Sequence, residues 1–175
     1  TKLKFRSQIE GRTKVPILAE VAFQPGKNNS SIVVEEGKRT LIAEEFRELR
    51  TNLNYITFSS KDESKVILVT SSIPNEGKSF VAINTSISLS LIGKKVVLLE
   101  FDLRKPKVSK EMGINRALGL SSFFVGKLRA DEIVQPHPSI LNFSIILSLP
   151  IPPNPSELIS SPKLHELFVY LKQLN

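Results

Sequence analysis

No cysteine occurs among the 175 residues, which rules out disulfides, thiolate nucleophiles and any cysteine-built metal centre. Histidine is almost as scarce. His137 sits between two prolines in a loop-like stretch and His165 lies on a helical stretch with no cysteine or second histidine nearby, so neither is given a role. Any metal therefore has to arrive with a ligand. Long apolar runs are missing too: stretches such as residues 95–99 (KVVLL) fall far short of the roughly 20 residues needed to cross a bilayer, and nothing reads as a signal peptide, so the sequence as it stands is expected to be soluble. No Gly-x-Gly-x-x-Gly follows a strand-like run, which argues against a dinucleotide-dependent dehydrogenase.

What is present suits one globular core, with 41% hydrophobic and 23% charged residues. The net charge is +7, and Lys2, Lys4, Arg6, Arg12 and Lys14 crowd the first fifteen residues against Glu10. A basic start of this kind can face anionic lipid headgroups, each Lys or Arg near the surface contributing about 1 kcal/mol. Nucleic acid is not expected as a partner, because no basic segment carries interleaved aromatics or a binding motif.

Residues 1–40 show little pattern and include a run of turn formers at 24–31 (QPGKNNSS), so they are read as a juxtamembrane or linker-like segment. Residues 41–175 are read as the folded domain. Ile42, Phe46, Leu49, Leu53 and Ile56 recur at steps of three and four, predicting a helix over about 41–57. Residues 65–70 (KVILVT) and 95–101 (KVVLLEF) read as buried strands flanking a helix over 79–92 that stops at Gly93. This βαβ unit implies parallel strands and an α/β fold. Further expectations are a short helix over 118–125 capped by Ser121 and Ser122, a third strand over 141–149, a proline-stiffened loop over 150–155, and a last helix over 162–174.

Residues 72–79 (SIPNEGKS) fit the phosphate-binding P-loop, with Ser72 in place of its first glycine. A bare Gly-Lys-Ser/Thr arises by chance in about one chain in ten of this length. Its position between a predicted strand and a predicted helix is what gives it weight. In such a loop, backbone N–H groups and the helix N-terminus surround phosphates, Lys78 reaches the β and γ oxygens, and the Ser79 hydroxyl ligates Mg²⁺. The nucleotide-contacting set is Ser72, Pro74, Asn75, Glu76, Gly77, Lys78, Ser79 and Phe80. Asp102 and Arg104 follow the second strand, where ligands of open α/β sheets lie. Asp102 is suited to holding Mg²⁺ or taking a proton from an attacking hydroxyl, and Arg104 to stabilising phosphate charge. The catalytic set is thus Lys78, Asp102 and Arg104.

Four ordered stretches carry a family resemblance: residues 44–52 (EEFRELRTN), 69–79 (VTSSIPNEGKS), 98–106 (LLEFDLRKP) and 152–159 (PPNPSELI). Together they resemble the bacterial tyrosine kinases of capsule and exopolysaccharide assembly, the BY-kinases. The resemblance implies an ATP- and Mg²⁺-dependent tyrosine autokinase with a P-loop NTPase-like parallel sheet flanked by helices. It makes residues 72–79 the Walker A motif and Asp102 the second acid of the family's Walker A-prime motif. Glu100 stands where the family usually carries Asp, and is a secondary candidate for the metal. Glu44, Arg47 and Arg50 match a helix pattern for ring-like self-association, through which the tyrosine-rich tail of a neighbouring protomer reaches the site. The resemblance further implies the cytoplasmic part of an inner-membrane protein, joined to a transmembrane polysaccharide co-polymerase segment, and a domain incomplete before its Walker B strand. Tyr55 and Tyr170, at apolar helix positions, are expected to pack in the core. Rival readings are a P-loop ATPase that positions plasmids or septa, against which Ile73 stands where that group carries a lysine, and a silent nucleotide-binding scaffold.

Overall fold

The computed structural model describes residues 6–23, 31–57, 64–114, 118–152 and 154–174. Lys2, Lys4, Pro153 and all of the 24–31 turn-rich stretch except Ser31 lie outside the described residues. The elements are α1 (Arg6–Glu10), α2 (Leu41–Thr57), α3 (Lys78–Ser90), β1 (Val96–Leu99), α4 (Val108–Glu111), α5 (Leu120–Phe124), α6 (Ala130–Ile133), β2 (Gln135–Pro136), β3 (Phe143–Ile146), α7 (Pro155–Ile159) and α8 (Lys163–Gln173).

β3 is the middle strand among the described residues: it pairs parallel with β1, Val96 opposite Phe143, and antiparallel with the short β2. Alternation along the strands divides their side chains between two layers. Leu98, Phe143, Ile145 and Leu147 join Ile42, Phe46, Ile83 and Ile87 of α2 and α3 in one core. Val97, Leu99 and Ile146 turn to the other face and meet Phe123, Ile133, Leu167 and Leu171 from α5, α6 and α8. Helices on both faces of a sheet with parallel strands make the fold α/β.

The run 65–70 is not a strand. It is irregular in hydrogen bonding, no described strand pairs with it, and Val66, Ile67 and Leu68 are exposed. A strand exists only where a neighbour supplies the ladder, and composition reports the propensity without the neighbour. The sheet is mixed rather than wholly parallel because β2, too short to show a pattern, adds an antiparallel edge. Two smaller expectations also fail. Tyr55 is 87% exposed, because the last turns of α2 run past the core that buries Ile42 and Phe46, whereas Tyr170 packs partly against the second core. Ser121 and Ser122 lie inside α5 and are buried; Gly119 holds the N-cap position, and the Ser121 hydroxyl donates to Ser148 O at 2.6 Å.

One side chain of α3 fastens residues 31–34 ahead of α2. Asn84, fully buried on α3, accepts at Oδ1 from Val33 N and Val34 N and donates from Nδ2 to Ser31 O and Phe80 O. Replacing it with Ala leaves two buried amide donors without an acceptor, and unmade buried hydrogen bonds cost about 1–3 kcal/mol each. Asn84→Ala is expected to lower stability by about 2–4 kcal/mol, measured by urea denaturation followed by circular dichroism. A loss under about 0.5 kcal/mol would show that these hydrogen bonds contribute nothing to the fold.

Candidate active site

The loop between residue 70 and α3 has the backbone a phosphate cradle needs. Asn75 (φ 68°) and Gly77 (φ 92°) are both left-handed, and Gly77 opens α3, its carbonyl accepting from Val81 N at 2.9 Å. Left-handed residues in a tight loop turn successive N–H groups to one side, next to the positive end of the helix. Glu76 closes the loop from within, its Oε2 accepting from Ser72 N and Ile73 N.

Behind the loop, the chain leaving β1 brings in Asp102. Lys78 Nζ donates to Asp102 Oδ2 at 3.2 Å, while Lys105 N and Arg104 N donate to Oδ1 at 3.0 and 3.4 Å. Partial burial opposes ionisation of Asp102, but the Lys105 amide and Lys78 outweigh it and hold the carboxyl below the usual range. Asp102 therefore stays charged wherever the protein is folded near neutral pH, and it holds the Lys78 ammonium.

An open cleft of about 210 Å³ lies at this point, lined by Asn75, Gly77, Lys78, Ser79, Phe80, Lys107 and Glu111. Five of the nucleotide-contacting residues named from sequence thus gather here. Ser72, Pro74 and Glu76 stand in the exposed part of the loop outside the lining, and much of Phe80 is spent on the core, its ring edge-on to Phe46 at 5.7 Å.

Asp102 is not part of the lining and meets it through Lys78. Two further residues of the expected set are placed differently. Glu100, the secondary metal candidate, is 3% exposed, and both its oxygens are taken: Oε1 accepts from Lys107 N and Val108 N at 2.7 Å each, Oε2 from Ser148 N and its hydroxyl. It fastens β1 to the start of α4 and the end of β3, and has no free oxygen directed at the cleft. Arg104 is exposed and lies outside the lining; its contribution is the backbone N–H given to Asp102.

Lys107 and Glu111 were not foreseen. Lys107 Nζ donates to Asn75 Oδ1 at 2.6 Å, bridging α4 to the loop. Glu111 has an Oε2 that is buried without a hydrogen-bond partner. Burial pushes its carboxyl above the usual range; Glu100 adds to this, while Lys107 and Lys78 pull the other way. Their spacing of four on one helical turn was the available signal, but such a pair is ordinary on any surface.

On α2, Arg47 bonds Glu44 and donates to Lys38 O at 2.7 Å, and Arg50 donates to Ser88 O at 2.9 Å and to its hydroxyl. The Glu44 side chain remains 55% exposed.

No family model matches the chain. Among curated proteins it is 36% identical over 138 residues to tyrosine-protein kinase YwqD of Bacillus subtilis, covering 78% of this chain and 56% of that protein. It is 34% identical over 130 residues to tyrosine-protein kinase wzc of Salmonella typhimurium, covering 74% of this chain and 18% of that one. The chain therefore spans about half the length of the first relative and less than a fifth of the second. Among solved structures it superposes on the chimerical protein CapA2B2 with a TM-score of 0.85 at 29% identity, over 97% of this chain and 71% of that one. The kinase domain of the Escherichia coli tyrosine kinase ETK shares the fold, with a TM-score of 0.86 at 20% identity over 99% of this chain and 71% of that one. With the loop, its lysine and the acid after β1 brought together on this fold, the chain belongs to the kinase-domain family of the bacterial tyrosine kinases, the BY-kinases.

Proposed function

We propose that this domain binds Mg·ATP and transfers the γ-phosphoryl group to a protein tyrosine, and that it does so in the control of surface-polysaccharide synthesis and export. The observation that carries the reading is the contact between Lys78 and Asp102 at the mouth of a left-handed loop opening a helix. Lys78 exchanges Asp102 for phosphate oxygens, the loop amides and the α3 N-terminus hold the remaining charge, and Asp102, released, is the acceptor for the tyrosine hydroxyl proton or a ligand to the metal. Magnesium neutralises charge developing on the transferred group when bound. The donors present fit a metal that comes with the nucleotide. Among the described residues no three His, Cys, Asp or Glu side chains gather to hold an ion, and magnesium is commonly held by one or two carboxylates together with phosphates and water. Ser79 and Asp102 are the residues that would hold it.

The tyrosine is best supplied by the tail of a neighbouring protomer in a ring assembled through Glu44, Arg47 and Arg50, with the domain on the cytoplasmic side of an inner membrane and joined to a membrane-spanning co-polymerase segment. No helix among the described residues is long and apolar enough to cross a membrane. Support for the ring comes from Glu44, whose exposed carboxylate is free to exchange its bond with Arg47 for a neighbour's cation. Arg50, committed to α3, steadies the helix that presents it. Glu44→Lys in the full-length protein is therefore expected to reduce the assembly to a smaller species by light scattering, with little change in melting temperature. An assembly of unchanged mass would remove the α2 flank from the interface. The activity itself is tested by phosphotyrosine formation on incubation with Mg·ATP, and hydrolysis without phosphotyrosine would favour a positioning ATPase or a scaffold.

A further inference from the structure

Among the side chains lining the cleft, Lys78 and Lys107 are basic and Glu111 is acidic. Lys78 and Lys107 face the space that a polyphosphate would fill, yet each already has an oxygen partner, Asp102 for one and Asn75 for the other. Glu111 lies among them with a buried oxygen that no described residue satisfies. The charged groups that act on it are Lys107 at the start of α4, Lys78 on α3 and Glu100 just after β1. A carboxylate so placed is costly to keep, since an unmet buried acceptor destabilises the fold and an anion repels phosphates.

We propose that Glu111 makes the cleft select metal-bound over metal-free nucleotide. This rests on the reading of the cleft as a nucleotide site. Bare ATP carries its full negative charge to a pocket where Lys78 and Lys107 are partly spent and Glu111 stands opposed. A divalent cation on the phosphates reverses the sign of that encounter and gives the orphaned oxygen a positive field, or a water within that field, to accept from. Lys78 cannot provide this discrimination, because its charge attracts both forms of the nucleotide. Glu100 cannot either, since four donors already hold its oxygens.

The test is ATP binding by isothermal calorimetry at pH 8 with the complete protein, once with excess Mg²⁺ and once with EDTA. In wild type the affinity with Mg²⁺ exceeds that with EDTA. Glu111→Gln, which keeps the shape and removes the charge, is expected to bind more tightly in EDTA and more weakly with Mg²⁺, so that the ratio of the two affinities falls about tenfold, as one elementary charge at short range in a partly screened site requires. Glu111→Met must reproduce the collapse, and the melting temperatures of both variants report that the fold survives. If the two affinities move together and their ratio is unchanged, Glu111 is only structural and the inference is overturned. If wild type binds ATP under neither condition, both the inference and the nucleotide reading on which it rests are overturned.

Discussion

Lys78→Met is expected to abolish measurable Mg·ATP binding, lowering affinity by about two orders of magnitude or more, while the chain stays folded. Charge-assisted hydrogen bonds to phosphate are each equivalent to about 1.5–3 kcal/mol, and Lys78 is the lysine of the loop and lines the cleft. The fold should tolerate the change because the pair it breaks is about one-third exposed on each side, and pairs in that setting contribute at most about 1 kcal/mol. Asp102 keeps its two backbone donors in the variant, so its orientation survives even as the acid loses its cation. Calorimetry of the variant against wild type, with thermal melts alongside, checks both halves. ATP affinity unchanged by the substitution would remove residues 72–79 from phosphate binding.

Gly119→Ala should be the most damaging alanine substitution among the described glycines. Gly119 is extended (φ −169°), a conformation open to any residue, so the constraint is space and not backbone strain. A Cβ there would stand 2.0 Å from Leu147 O and 2.7 Å from Leu147 C, both backbone atoms just beyond β3. The adjacent Leu120 N donates to the same Leu147 O at 2.7 Å, so α5 cannot withdraw without breaking the bond that seats it. A loss of about 3 kcal/mol or more is expected, since neither wall is a flexible side chain. Gly37→Ala is the contrasting case: its Cβ meets nothing within 4 Å and only its left-handed φ of 73° is penalised, so about 1 kcal/mol is expected. Urea denaturation of the two variants compares them. Equal losses would mean that the contact between Gly119 and β3 is looser than these distances state.

The contrast between what the sequence made visible and what it hid follows from which interactions are local. α2, α3 and α8 were legible because an apolar stripe at helical spacing needs only one face to pack, and Ile42, Phe46, Ile83, Leu167 and Leu171 do occupy the two cores. β1 was legible as a continuous apolar run and β3 as one interrupted by Ser144, and the two pair within the sheet. Residues 65–70 have the same composition and are not a strand, since what distinguishes them is a neighbour and not a propensity. The same reasoning covers the site. Asn75 through Phe80 form one contiguous motif, and Asp102 follows an apolar run at the expected place. Lys107 and Glu111 reach the cleft only because four hydrogen bonds to the buried Glu100 carboxylate fix the start of α4 and the end of β3 against β1, and no pattern in the sequence announces that clamp. Glu100 itself was visible as an acid at the right position, but an acid that binds a metal and one that fastens a loop differ only in what surrounds them.

The measurement that bears most directly on the whole account is incubation of the complete protein with Mg·ATP, followed by mass spectrometry for phosphotyrosine, in wild type and Lys78→Met. The account predicts phosphate on tyrosine in wild type and none in the variant. ATP binding or hydrolysis with no phosphotyrosine in wild type, or phosphotyrosine persisting in Lys78→Met, would contradict it.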